Sequence, residues 1–400
     1  YVHANNRVEV IGGVNPTGTG VFVSGASEIY AVDPTASMFF DSTGDADIQG
    51  AIVAGGTIQH LYDATGAYLG RRQTNSNGDS TIRIEADQQI RIGQDLRAGK
   101  SINLVGGLDP VEPGVPYSGN GIVVYGSTQV STWRPNSQIN LNAPGPIMIL
   151  PASHANEVAA DGFIATADGR LANDVTLKVS VNKIDFTAEA TILVPKSATT
   201  SNTSVDDLLS DVQAAWAAAS WKIVTSTNAS RPVGSTYVQD PAHLDFGIIL
   251  RESRFVVTSP YVFSLLKGAT NASLLGFNGL TANPIASTAR YSIYAPQAGS
   301  TITVGAPAGP NGKLYIGGKL LADAGITLYS GVSADGRDIE LPATGRLETL
   351  HASIVLSPGV DGVLSGEILA GGANSDVVIT SGHSLELRGR IEAQRNILIS

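Results

Sequence analysis

Apolar residues along this chain come in pairs two positions apart, and a few polar or glycine residues separate each pair from the next. Within residues 90–107 the paired positions are Ile90, Ile92, Leu96, Ala98, Ile102 and Leu104. A period of two places both members of a pair on one face of a β-strand, whereas an amphipathic helix needs a period of about 3.6 residues. The pattern therefore predicts very short strands joined by polar corners.

The same pattern recurs without gaps at residues 314–331 and 385–400, and in part at residues 2–13. Strands this short do not form a stable flat sheet, but they can pair if the chain coils so that each lies beside its counterpart one turn later. We therefore predict a mainly β fold: a right-handed parallel β-helix whose inward residues stack into a continuous apolar column.

Spacing between the copies indicates two insertions at corners of this coil. One lies in the proline-rich segment 108–118, and the other lies at 60–80, which is polar and contains an Asn77-Gly78 turn signal. The second segment predicts a protruding hairpin. Either insertion is a candidate contact surface, and a tolerated loop is the alternative interpretation.

The pattern changes between about 172 and 285, where alternating strands are followed by one amphipathic helix. Ser204 is suited to cap that helix, and Asp206 and Asp207 favour the positive end of its dipole. The residues at helical spacing are Val205, Leu208, Leu209, Val212 and Trp216. We predict three segments, which are β-helix repeats at 1–171, an inserted small α+β module at 172–285 and β-helix repeats at 286–400.

Composition narrows the class of function. Charged residues make up 15% of the 400 residues and apolar residues 42%, with 45 glycines, which is typical of a folded β-rich protein with many corners. The net charge of −10 argues against nucleic acid and against an anionic membrane surface as partners. No apolar run is long enough for membrane insertion, and there are no cysteines. Because the chain begins at Tyr1 without Met, we expect a window of a longer protein.

The repeat carried by residues 90–107, 314–331 and 385–400 resembles the β-helical repeats of filamentous haemagglutinin-like exoproteins and other giant bacterial surface adhesins. The inserted module looks like modules scattered through very large bacterial extracellular proteins, and in outline like inserts of flagellar hook-associated and phage tail proteins. The resemblance implies a structural segment of a surface adhesin or extracellular filament, secreted or at the cell surface. The expected partners are neighbouring repeats or identical chains end to end, and surface glycans or other cells.

Two other classes of function remain open. One is a polysaccharide-binding or polysaccharide-cleaving β-helix protein, which needs an acidic groove on one face, and the other is a phage tail fibre. No catalytic motif is present, and the six histidines are dispersed without metal-ligand spacing, so we expect no enzyme. The best acidic group is Asp41, Asp45 and Asp47, a candidate for calcium, the one cofactor considered; a solvated corner is the alternative.

The sequence also contains candidate residues for glycosylation and for stacking on sugar rings. Three glycosylation sequons, at Asn202, Asn228 and Asn271, all fall in the inserted module. Aromatic residues are few, and the best candidates for a platform that stacks sugar rings are Trp133, Tyr125 and Tyr117. Because these residues do not belong to the repeat, any function beyond architecture is expected in what interrupts it.

Overall fold

The computed structural model consists mainly of short β-strands, as the hydrophobic pattern predicts. The structure describes residues 2–13, 18–25, 27–56, 58–62, 68–73, 78–107, 121–126, 128–152, 156–162, 164, 166–183, 185–237, 246–251, 254–306, 312–332 and 337–400. The chain divides into two compact units. The first comprises residues 1–57, 74–152 and 291–400, and the second comprises residues 58–73 and 153–290.

The first unit is a parallel β-helix built from three sheets, here called A, B and C, with strands numbered along the chain. Sheet A contains, in order, β1 (Val2–Ala4), β4 (Glu28–Ala31), β7 (Ala51–Ala54), β12 (Leu96–Ala98), β15 (Val130–Thr132), β28 (Ile293–Ala295), β31 (Lys319–Ala322), β34 (Arg346–Thr349), β37 (Glu367–Ala370) and β40 (Arg390–Ala393). Sheet B contains β2 (Arg7–Gly12), β5 (Ser37–Ser42), β10 (Thr81–Ala86), β13 (Ser101–Gly106), β16 (Gln138–Asn142), β29 (Thr301–Ala306), β32 (Gly325–Ser330), β35 (Ile354–Ser357), β38 (Asp376–Ile379) and β41 (Asn396–Ile399). Sheet C contains β3 (Thr19–Val23), β6 (Asp45–Ile48), β11 (Ile90–Ile92), β14 (Ile122–Val124), β17 (Ile147–Ile149), β30 (Leu314–Ile316), β33 (Ile339–Leu341), β36 (Asp361–Leu364) and β39 (Ser384–Leu387).

Each copy of the sequence motif forms one turn of this β-helix. Residues 90–107 supply β11 to sheet C, β12 to sheet A and β13 to sheet B, and residues 314–331 and 385–400 do the same with later strands. The partial copy at residues 2–13 supplies β1 and β2. The predicted fold class, a mainly β parallel β-helix with an inserted module, is therefore confirmed.

Inward residues form an aliphatic column along sheet B. At one position of the register the column runs through Met38, Ile82, Ile102, Ile139, Ile302, Ile326, Ile354 and Val377, all fully buried. Each such side chain contributes about 1.5–3 kcal/mol through removal from water. Because alternate residues of a strand face opposite sides, a shift of register by one residue would expose the whole column.

Glycines allow successive turns to approach closely at the corner that precedes sheet A. Gly345, Gly366 and Gly389 immediately precede β34, β37 and β40. A Cβ on Gly366 or Gly389 would lie less than 3.0 Å from the carbonyl oxygen of the glycine one turn earlier. Only glycine therefore fits where the backbone of one turn rests on the next.

Strand pairing in the β-helix continues across the inserted residues. On either side of the insertion, Ser131 pairs with Tyr294 in sheet A, and Ile147 pairs with Leu314 in sheet C. Sheet B is equally continuous, since β16 pairs directly with β29. The module therefore leaves the coil between β17 and β28, at a corner, without changing the register of the turns around it.

The second unit contains a hairpin and an α+β module with two antiparallel sheets. Sheet D contains β23 (Gly247–Arg251), β24 (Arg254–Ser259), β18 (Asn156–Ala159) and β27 (Thr288–Ala289), in this order. Sheet E contains β22 (Thr236–Tyr237), β21 (Trp221–Ser226), β20 (Phe186–Val194), β19 (Val175–Asn182), β25 (Val262–Thr270) and β26 (Ile285–Ala286). Among its described residues, the helical segments are α1 (Val205–Ala217) and the 3₁₀ turns η1 (Lys196–Thr199), η2 (Ala272–Leu275) and η3 (Asn278–Thr281).

The module is longer than the segment 172–285 indicated by the sequence, because its outermost strands pair with each other. Strand β18 begins at Asn156 and pairs with β27, which ends at Ala289. These strands are short and their pairing spans almost the whole module, so no local period marks them. The structure accordingly places the module at 153–290.

The helix α1 begins as its sequence predicts. The Ser204 hydroxyl accepts a hydrogen bond from the Asp207 amide, and the Asp207 carboxylate accepts one from the Ser204 amide, which is a capping box. Leu208, Val212 and Trp216 are buried on one face of the helix. The Trp216 ring packs 5.7 Å from that of Phe246, within an aromatic core that α1 shares with sheet E.

The hairpin expected at 60–80 is present but is built differently. Its antiparallel strands are β8 (Ile58–Tyr62) and β9 (Tyr68–Gln73), and the Asn77-Gly78 sequence lies beyond both strands. Gly78 instead lies in the β-helix, where a Cβ would be less than 3.0 Å from the Pro34 carbonyl oxygen. Residues 63–67, Asn77 and the segment 108–118 lie outside the described residues.

The alternation of inward and outward residues predicts opposite effects for adjacent positions in β32. Leu328 is fully buried and Thr327 is exposed. We expect Leu328→Ala to lower the free energy of unfolding by about 2–5 kcal/mol, because it removes buried methyl groups and leaves a cavity. Thr327→Ala, the matched control, should change it by less than about 0.5 kcal/mol. Urea denaturation followed by circular dichroism measures both, and equal effects would contradict the inward assignment.

Candidate functional site

Aspartates at the corners of the β-helix hold successive turns together. In each case a carboxylate at the start of one strand accepts a backbone N–H at the start of the strand one turn later, at 2.9–3.1 Å. The donor residues are Gln89 for Asp45, Gln129 for Asp95, Asp361 for Asp338, Ser384 for Asp361 and Asn396 for Asp376. This contact recurs in sheets A, B and C, and the sequence analysis did not find it.

The three aspartates considered for calcium have other environments. Asp45 accepts the Gln89 amide and forms an ion pair with Arg91 at 2.9 Å, and Asp47 accepts a hydrogen bond from the Gln49 amide at 2.6 Å. Asp41 lies on β5 in sheet B, whereas Asp45 and Asp47 lie on β6 in sheet C. Within the described residues, no three His, Asp or Glu side chains are grouped closely enough to hold a metal ion.

Hydrogen bonding shifts the acidity of two corner aspartates. The Arg395 guanidinium donates to the Asp376 carboxylate, with Nε 2.8 Å from Oδ1, and lowers the pKa of Asp376 to about 2. The Ser384 hydroxyl, and after it the His383 ring, lower the pKa of Asp361. Both carboxylates are therefore held in the charged form, which is the form that accepts the backbone N–H.

An aromatic cluster lies in the first unit, in part where the sequence suggested one. The Trp133 ring is 5.7 Å from Tyr294 in an edge-to-face arrangement, and Tyr294 stacks on Tyr291 at 5.7 Å. The sequence analysis missed both tyrosines, because the inserted module separates them from Trp133 along the chain. Tyr125 is 36% exposed, and Tyr117 lies outside the described residues.

The tyrosines of this cluster adjoin a network of charged residues. The Tyr291 hydroxyl donates to Glu348 at 2.7 Å, and Arg346 bridges Glu348 and Glu367 at 2.8 and 3.0 Å. Burial, and then the bond to Glu348, raise the pKa of Tyr291, so this hydroxyl stays protonated. Burial also lowers the pKa of Lys319, which pairs in register with Arg346. Arg390 also approaches Glu367, at 3.9 Å, so the arrangement is a structural network of charged residues on neighbouring turns.

The three sequons differ in how accessible their asparagines are. Asn202 is 5% exposed, and its amide donates to the Gly169 carbonyl and to Asp211 at 3.1 and 2.8 Å. Asn228 is half-buried, whereas Asn271 is exposed and has a left-handed backbone with φ of 53°. A glycan on Asn202 would break both hydrogen bonds, so Asn271 is the most accessible of the three.

One face of sheet E carries a cleft of about 490 Å³. Its lining residues are Lys178, Glu189, Ala190, Thr191, Ser220, Lys222, Val224 and Leu266. Lys178 pairs in register with Thr191 on one side and Leu266 on the other, and Glu189 pairs with Lys222. The cleft therefore crosses four neighbouring strands, β25, β19, β20 and β21.

Apart from the buried Ala190, the strand residues that line the cleft occupy outward positions of strands whose inward residues form the module core. In β19 the inward Leu177 and Val179 are fully buried, and Lys178 between them is exposed. The sequence signal for this face was the alternation of 175–181, which predicted the strand but not which strands would lie beside it.

Comparison with known proteins adds no family. No protein-family model, no curated protein and no solved structure matched the chain. None of the helices in the described ranges is both long enough and apolar enough to cross a membrane. The fold and the surfaces described above define the class of the molecule: a parallel β-helix with an α+β module inserted at one corner.

The depressed acidity of Asp376 predicts a dependence of stability on pH. Because its folded pKa of about 2 lies below the ordinary value of 3.8, the carboxylate stabilises the fold above about pH 4, and this contribution is lost as pH falls towards 2. Asp376→Asn should therefore unfold at lower urea concentration than the unaltered protein at pH 7, and the difference should narrow as pH falls from 4 to 2.

Asp41→Asn is the matched control, because it removes the same charge from an outward position in sheet B. Urea midpoints at several pH values measure both variants. A difference for Asp376→Asn that stays constant down to pH 2 would contradict the role given to its charge.

Proposed function

We propose that the chain is a structural segment of an exported bacterial surface adhesin or extracellular filament, in which the β-helix is a scaffold that displays the inserted module. The observation that carries this proposal is the continuity of all three sheets across the insertion. Ser137 and Ser300, 163 positions apart, lie on adjacent turns with their hydroxyl oxygens 2.8 Å apart. The scaffold keeps its register while it carries a second unit with a core of its own.

Stacking of turns gives the scaffold its stiffness. Parallel strands lie about 4.8 Å apart, so the ten strands of sheets A and B extend over about 43 Å. Each turn is hydrogen-bonded to the turn before and the turn after, and the buried column is continuous from one to the next. A segment of this kind resists bending and lengthens simply by adding turns, which is what a surface filament needs.

Insertions at all three kinds of corner support a display function. The module interrupts the passage from sheet C to sheet A, and the hairpin β8–β9 interrupts the passage from A to B. Fourteen residues, 107–120, separate β13 from Gly121, on the passage from B to C. Corners accept added chain because the ladder hydrogen bonds lie in the strands. The partners we propose are neighbouring repeats or identical chains, and surface glycans or other cells for the displayed parts.

The scaffold role predicts that the module can be removed without unfolding the β-helix. In the proposed variant, Ile149 is joined to Ser292 through Gly-Gln, which copies the corner at Gly93–Asp95 between β11 and β12. We expect a cooperatively folded protein with a strand-type circular dichroism spectrum, because the strands on both sides already pair with each other.

Deletion of β16 (Gln138–Asn142) is the contrasting control, since it removes one strand from sheet B and offsets every later turn. It should abolish cooperative unfolding. If the excised variant also fails to unfold cooperatively, the β-helix is not an independent scaffold.

Electron microscopy tests the proposed location and assembly. Source cells and the parent assembly would be labelled with an antibody fragment raised against the module, 153–290. We expect label on the cell surface and at regular intervals along a filament, because each module leaves the scaffold at a fixed turn. Label confined to the cell interior, or to particles without a repeating axis, would contradict the proposal.

A further inference from the structure

We infer that the cleft on sheet E of the inserted module binds an acidic saccharide, a sugar unit that carries a carboxylate. The residues that carry this inference are Lys178 and Lys222, Glu189 between them, and the hydroxyls of Thr191 and Ser220. At about 490 Å³ the cleft falls in the range of small-molecule sites, which is about 300–1,000 Å³.

Charge selects an anion for this cleft. Lys178 and Lys222 are both exposed, and neither forms an ion pair or a side-chain hydrogen bond with any residue that the structure describes. The chain as a whole carries a net charge of −10, whereas the two lysines and one glutamate of the cleft leave it a local charge of +1. A carboxylate on the ligand would supply the missing counter-charge.

The remaining polar groups select a ligand that also has hydroxyls. Glu189 pairs in register with Lys222 and with Ser180, and its carboxylate, also without a partner in the described chain, accepts hydrogen bonds. Inorganic phosphate would place all of its charge close to that carboxylate, whereas an acidic sugar can direct its carboxylate to a lysine and donate hydroxyls to Glu189. Thr191 and Ser220 can both donate and accept, which suits the mixed hydrogen bonding of a sugar ring.

The geometry of the sheet sets the size of the ligand. Lys178 and Lys222 lie two strands and one diagonal step apart, so their Cα atoms are separated by about 12 Å. Flexible lysine side chains can therefore contact the two ends of a ligand one or two sugar rings long. Val224 and Leu266 add aliphatic surface at opposite ends of the cleft, against which the C–H face of a sugar can pack.

The ammonium group of Lys178 lies beside Gly268 of β25. Gly268 has φ of +84°, and a Cβ at this position would lie 3.4 Å from the Lys178 Nζ atom. The Lys178 side chain thus extends over the irregular edge of β25, where the register with β19 shifts between Thr176 and Lys178.

This inference gives the displayed module a ligand and so deepens the proposed function. Its test is direct binding, whose outcome does not depend on where the protein is located or on whether the β-helix folds without the module.

The experiment is isothermal titration calorimetry of the full chain with digalacturonate, with its methyl-esterified form and with inorganic phosphate. We expect digalacturonate to bind with an affinity that weakens as salt is added, and the methyl ester and phosphate to bind at least about tenfold more weakly. The esterified probe removes only the ligand's charge and leaves the protein unaltered.

Variants assign the binding to the cleft. The double variant Lys178→Met with Lys222→Met should bind digalacturonate at least about tenfold more weakly. Lys196→Met is the matched control, because Lys196 is exposed in η1 of the same module and does not line the cleft, and its affinity should be unchanged. No binding of digalacturonate, equal binding of the ester or of phosphate, or an equal loss with Lys196→Met would each overturn the inference.

Discussion

The parallel hydrogen-bonded ladder between successive turns is the constraint on which the β-helix depends. Each strand has only three to six residues, so no turn is stable without the turns on either side of it. The ladder fixes the register, the register places alternate side chains inside, and the buried column that results stabilises the ladder in return. Gly366 and Asp376 follow from the same constraint. Gly366 lets the backbones of two successive turns approach each other. Asp376 accepts the backbone N–H of Asn396 at a corner, where the ladder is interrupted.

That constraint also explains where the chain varies. Residues added within a strand would shift its register against both neighbouring turns, whereas residues added at a corner leave the strand pairing intact, so the added residues are found at corners. The inserted module is the largest example. Its core is organised around Phe246, whose ring packs between Trp216, Trp221 and Phe263, and not around a repeated aliphatic position. The two units are therefore stabilised by different kinds of packing, one periodic and one specific to each residue.

The aspartates show how a repeated structure changes the interpretation of a cluster. Asp41, Asp45 and Asp47 are close together in sequence and look like a group of oxygen ligands. In the fold they are divided between two sheets, and Asp45 is occupied by a backbone N–H and by Arg91. Asp95, Asp338, Asp361 and Asp376 also accept a backbone N–H from the next turn, so this hydrogen bond is a recurring feature of the β-helix. Lys178, Glu189 and Lys222, in contrast, have no such assignment in the fold, which is why the inferred binding site falls there.

The sequence by itself determined the strands and their inward faces. The pairs Ile90 with Ile92 and Leu96 with Ala98 could be assigned because a period of two is local, and the repeat showed that the strands stack in parallel. Tertiary structure alone decided which distant residues meet. Trp133 contacts Tyr294, although the whole module separates them along the chain. The pairing of β18 with β27, which encloses the module, and the row of side chains across sheet E also join distant segments. Periodicity reports which way a side chain faces, but not which strand lies beside it, because that depends on the non-local packing that closes each unit.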